Sequence, residues 1–151
     1  MSEEKRRALS TLLICLCLAT VAFIWGNSML GSKASSNVSN SVLGALDPII
    51  RRFGIVSKDD LWLRKLAHFT EFAALGAELL FLAAVRRRLG LQAASNCAFA
   101  ALFAALTDET IQLASGRNSQ VLDVLLDFSG ALTGILIAWL ICRLIKKRRA
   151  L

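Results

Sequence analysis

The feature that most narrows what this chain can fold into is an apolar run without a single charge from Ala8 to Ser32. About 20 such residues in a helix cross a ~30 Å hydrocarbon core. Two further uncharged runs follow, Leu89 to Thr107 and Phe128 to Cys142, the latter extended backwards by Val124, Leu125 and Leu126. A fourth stretch, Leu61 to Val85, is mostly apolar but carries Arg64, Lys65, His68, Glu71 and Glu78. The expected architecture is an all-α integral membrane four-helix bundle, one domain over 1–151, with helices at about 9–27, 62–85, 91–113 and 119–144. With 56% apolar residues and one proline, the chain is not disordered, collagen-like or a disulfide scaffold. The first run follows Lys5, Arg6 and Arg7 as a signal peptide would, but it is too long and lacks a small-x-small cleavage site. It reads as an uncleaved span.

Basic residues set the expected orientation. Dense clusters lie at Lys5-Arg6-Arg7, Arg86-Arg87-Arg88 and Arg143 to Arg149. By the positive-inside rule these are cytoplasmic, with both termini inside. The net charge of +7 is then topological and does not indicate nucleic-acid binding. Cys15, Cys17, Cys97 and Cys142 lie in or near apolar spans without metal-ligand spacing, as small packing residues do. In the long first external loop, Val42, Leu43, Leu46, Ile49, Ile50 and Phe53 recur at helical spacing, which suggests a short amphipathic helix on the membrane surface, interrupted by Pro48. The other loops, around Arg86 to Gly90 and Ser115 to Asn118, are tight, so helices 2, 3 and 4 are antiparallel neighbours.

Ionisable groups inside a membrane are expensive and mark functional sites by default. Here they are grouped. His68, Glu71 and Glu78 recur at helical steps on one face of helix 2, with Lys65 one turn before. Asp108, Glu109 and Gln112 lie near the outer end of helix 3, and Asp123 and Asp127 near that of helix 4, with Arg117 between. At ~1.5 Å per residue, Asp127 lies roughly 12 Å below Ser119 and His68 and Glu71 about 9–14 Å below Trp62. Three helices thus bring their polar groups to one depth in the outer leaflet. Gly130 and Gly134 form a GxxxG that admits a close neighbour. Glu78 lies about 15 Å deeper than His68 and has no evident partner beyond a snorkelling Arg86 or Arg87.

Arg64-Lys65-Leu66-Ala67-His68-Phe69-Thr70-Glu71-Phe72 resembles the signature of VanZ-like membrane proteins. Asp108-Glu109-Thr110-Ile111-Gln112, Gly116-Arg117-Asn118-Ser119 and Asp123 to Asp127, before Gly130 and Gly134, are similar to its second half. Phe72 stands where many members carry Tyr, and Thr110-Ile111 where a polar residue is often seen. The resemblance implies a multi-pass protein of the bacterial inner membrane, associated with the cell envelope and with resistance to the lipid-bearing glycopeptide teicoplanin. It implies no particular reaction.

Three functions remain open on the residues. A membrane enzyme would act on a lipid-linked head group at the outer leaflet, with Lys65, Asp108, Gln112 and Arg117 binding it. His68, Glu71, Glu109, Asp123 and Asp127 would then form the catalytic set, His68 or Glu109 exchanging the proton. No Ser or Cys is placed as a nucleophile beside His68, although Ser119 and Thr70 are near. A binding or shielding protein would hold a membrane lipid or lipid-linked envelope precursor through the same cations. In the third reading, the cluster only ties the bundle together. No cofactor is called for; a divalent metal on His68 with Glu71, Glu109, Asp123 or Asp127 is an alternative.

Overall fold

The computed structural model describes residues 2–29, 60–117 and 120–148. They form four helices: α1 (Glu3–Met29), α2 (Asp60–Val85), α3 (Leu91–Ala114) and α4 (Val121–Arg148). No strand occurs among the described residues. All four are long and apolar enough to cross a membrane. The amphipathic helix expected around Val42 to Phe53 lies outside the described residues.

The distribution of side chains is inverted relative to a water-soluble bundle. Leu12, Phe23, Phe99, Phe103, Leu113, Leu122 and Leu136 are more than half exposed, whereas Asp108, Glu109, Gln112, Arg117 and Asp127 are buried. Charged side chains are almost never fully buried in soluble proteins unless paired. An apolar exterior around a polar interior is instead what lipid selects. The buried apolar residues are mostly small: Cys17, Ala101, Ala104, Ala105 and Ala131 with Ile24, Phe72 and Leu75 in one cluster, and Leu80, Cys97, Ile135 and Ala138 in another. Small residues let helices approach without a hydrophobic driving force.

The closest pair is α2 with α4. A Cβ placed on Gly130 would meet the Phe69 carbonyl, one on Gly134 the Ala73 carbonyl, and one on Gly76 the Ala131 carbonyl. The GxxxG of α4 therefore lies directly on the backbone of α2, and Gly76 returns the contact. This crossing sets His68 and Asp127 at neighbouring levels on facing helices.

Two turns share one backbone device. At the end of α3, Arg117 N–H donates to the Gln112 carbonyl at 3.0 Å and Gly116 N–H to Leu113 at 3.2 Å, with Gly116 at φ 72°. This is the Schellman pattern, which ends a helix with a left-handed residue. At the end of α2, Arg88 N–H donates to the Ala83 carbonyl at 2.8 Å and Arg87 N–H to Ala84 at 3.0 Å. There the left-handed residue is Arg87, at φ 59°, in a conformation that favours glycine. Arg6, Arg7, Arg86 and Arg88 line one cleft, so the start of α1 and the α2–α3 turn share one end of the bundle. Arg143 stacks on Trp139 at 3.9 Å from the ring centroid, a cation–π contact.

α1 docks by a narrow seam. Its buried residues are Cys17, Ile24 and Ser28, and its other faces are open. Two polar contacts fasten it. Trp25 Nε1 donates to the Ala104 carbonyl at 3.3 Å, and Thr20 Oγ1 donates to Glu78 Oε1 at 3.0 Å. The deep glutamate is thus met by a hydroxyl from α1, not by Arg86 or Arg87.

Candidate functional site

At the end of the bundle opposite the arginine-lined cleft, α2, α3 and α4 enclose a pocket of about 60 Å³. It is lined by Arg64, Lys65, His68, Glu109, Gln112, Arg117, Asp123, Leu126 and Asp127. Seven of the nine residues named from the sequence line this pocket.

Each wall follows from local structure. Arg64, Lys65 and His68 occupy successive positions on the first turns of α2, at helical spacing. Glu109 and Gln112 come from the last turns of α3. Arg117 is folded back over the end of α3 by the Schellman turn, which buries it to 7% exposure. Burial pulls its guanidinium below its ordinary pKa and Arg64 adds to this, while Asp108, Glu109 and Asp123 oppose the shift. Arginine stays protonated at any working pH. Asp123, in the first turn of α4, pairs with Lys65: Nζ to Oδ1 is 2.9 Å.

Below the mouth lies a smaller constellation. Asp108 Oδ2 accepts a hydrogen bond from Gln112 Nε2 at 2.7 Å and lies 3.7 Å from His68 Nδ1. Asp108 and Asp127 are 0% and 1% exposed. His68, Asp108 and Asp127 can each bring one ligand atom within 4.8 Å of the others. That set differs from the one expected, because Asp108, read from the sequence as a binding residue, lies against His68 beneath the pocket.

Glu71, like Asp108, does not line the pocket. It faces α1, where the Asn27 side chain hydrogen-bonds to it. A three-residue step leaves it about 60° around the helix from His68, enough to turn it from α3 and α4 toward α1. Two participants went unassigned in the sequence. Arg64 lines the pocket, and its spacing four residues before His68 was the signal for it. Asn27 had only its place at the outer end of the first expected helix.

A family model described as VanZ/LLP1 matches residues 9–143. The chain belongs to the VanZ/LLP1 family. With four helices able to span, it is a multi-pass membrane protein of VanZ type. No curated protein and no solved structure matches it. The matched segment contains α2, α3 and all the pocket residues, so the polar site belongs to the family's own segment of the chain.

Proposed function

We propose that this VanZ/LLP1 protein binds the anionic head group of a membrane lipid or lipid-linked envelope precursor in the pocket between α2, α3 and α4. The observation that carries the reading is the convergence of Arg64, Lys65 and Arg117 on one small polar pocket at the end of a bundle with an apolar exterior. Cations in a partly dry site bind phosphate or carboxylate through charge-assisted hydrogen bonds, while the acyl or prenyl chain lies along the lipid-facing helices. With both termini cytoplasmic by the positive-inside rule, the pocket opens on the outer leaflet of a bacterial inner membrane. That is where lipid-linked precursors meet glycopeptides, in keeping with the teicoplanin association that the resemblance implies.

A purely structural cluster fits less well. Buried oxygens of Glu71, Asp108 and Asp127 lack hydrogen-bond partners among the described residues, and unmet polar atoms weaken a bundle. One observation favours turnover of the bound group. The His68–Asp108 approach, with Asp108 fixed by Gln112, is the arrangement that orients an imidazole base.

Native mass spectrometry of the detergent-purified protein separates the readings. The wild type is expected to retain a phosphate-bearing lipid that Arg64→Ala with Lys65→Ala loses. Retention of the same species by His68→Gln supports binding alone. Accumulation of a heavier, unprocessed species in His68→Gln supports an enzyme. Wild type free of bound lipid, at unchanged stability, overturns the head-group reading.

A further inference from the structure

The floor of the pocket holds buried acceptors with nothing to accept from. Asp108 Oδ1 and Asp127 Oδ2 have no hydrogen-bond partner among the described residues, and neither does His68 Nδ1. Both carboxylates are essentially inaccessible, at 0% and 1% exposure. The three side chains come from three helices, α2, α3 and α4, and converge on one point, with a ligand atom from each within 4.8 Å of the others. Ion–ligand bonds of about 2.0–2.2 Å set the ligand atoms of one ion at most roughly 4.4 Å apart, so small side-chain rotations close the set.

Charge points the same way. Asp108, Glu109, Asp123 and Asp127 stand against Arg64, Lys65 and Arg117, and Lys65 is engaged by Asp123 at the mouth. Asp108 and Asp127 are the most deeply buried of these acids. Arg64 and Arg117 line the same pocket and oppose a metal there, and Asp108, Glu109 and Asp123 counter the field of Arg117.

We propose that His68, Asp108 and Asp127 bind one divalent transition-metal ion of the Mn²⁺ or Zn²⁺ class at the floor of the pocket. One imidazole with two carboxylates is a ligand set for such ions. Gln112, which donates to Asp108 Oδ2 at 2.7 Å, serves as the outer partner that orients a ligating carboxylate. The pocket of about 60 Å³ has room for about two waters at ~30 Å³ each, so coordination positions face the mouth. The inference concerns the same pocket as the head-group reading but stands without it, because the metal is assayed alone.

The test uses the full chain, purified in detergent without a histidine tag, stripped with EDTA and titrated with Mn²⁺. The expected result is one Mn²⁺ per chain, read as loss of the free-ion EPR signal, with displacement by Zn²⁺. Pulsed EPR of bound Mn²⁺ should show imidazole nitrogen coupling, which only His68 can supply, since the chain has one histidine. Asp108→Asn and Asp127→Asn should weaken binding by at least about tenfold, the loss expected even for an outer partner. Glu78→Gln, outside the pocket, should leave it unchanged. Absence of stoichiometric Mn²⁺ or Zn²⁺ in a wild type with native helix content overturns the proposal. So does bound Mn²⁺ without imidazole coupling, or Asp127→Asn that binds as wild type does. If both aspartate variants fail to fold, the pulsed-EPR result on the wild type decides.

Discussion

Gly130 lies three residues after Asp127, and the space where its side chain would go is taken by the Phe69 carbonyl, next to His68. Gly130→Ala therefore forces a methyl group against backbone, which cannot rotate away as a flexible side chain can. Overpacking of this kind costs about 1–3 kcal/mol, and a backbone obstacle puts the cost at the upper end. Alanine recovers roughly 0.5–1 kcal/mol over glycine in a helix interior, so the net loss is about 2 kcal/mol. At roughly 2–4 °C per kcal/mol for a chain of this size, Tm should fall by about 4–8 °C. The assay is thermal loss of helical circular dichroism in detergent. Gly26→Ala is the control, because nothing lies within 4 Å of a Cβ there; it should hold or raise Tm. Gly130→Ala should also impair pocket binding beyond its effect on stability, since it pushes Asp127 away from His68. A Gly130→Ala protein that melts at or above wild type, or a Gly26→Ala protein that loses as much, refutes the backbone-contact account of the α2–α4 crossing.

Further outcomes follow from other contacts. Arg87→Gly relieves a left-handed residue at φ 59° and should stabilise by about 1 kcal/mol, visible as a higher Tm; a drop would refute the strain at this turn. Thr20→Val removes the donor to Glu78 and should cost about 0.6–1.7 kcal/mol, from the average to the maximum for interhelical hydrogen bonds in a membrane protein, with Thr20→Ser retaining most of it. A loss in Thr20→Ser that Thr20→Val does not show would assign Thr20 to packing. In a background with the four cysteines replaced, an impermeant maleimide on intact cells should label Gln120→Cys and spare Arg88→Cys. The opposite pattern would invert the orientation.

The spans were legible because lipid imposes a coarse rule, uncharged length, that the sequence displays directly. Their ends were less so. α1 begins at Glu3 and α4 continues to Arg148, both past the apolar limits expected. Glu, Lys and Arg are good helix formers, so the hydrogen-bond ladder runs on where hydropathy stops. Glu3 pairs with Arg6 in the first turn, and acidic residues there suit the helix dipole. The pocket was legible because His68, Gln112, Arg117 and Asp127 carry polarity into apolar surroundings at helical spacing. What lay between helices was not. The position of α1 around the bundle decides that Thr20 meets Glu78 and Asn27 meets Glu71, and no periodicity within either helix records it. The approach of Asp108 to His68 was likewise not legible, since spacing fixes a face but not what stands opposite.

The seam between α1 and α2 bears on how the chain is made. α1 is synthesised before α2 and has no charged residue between Ala8 and its end at Met29, so it enters the bilayer unaided. α2 follows with Glu71 and Glu78, acids that cost a lone helix about 2.5–3.5 kcal/mol each near the bilayer centre. Their partners, Asn27 and Thr20, are by then already in the membrane. α1 thus acts as a reception surface for the costliest helix as it leaves the translocon, and damage at Thr20 should reduce the yield of inserted protein more than it lowers the melting point of the protein that does insert.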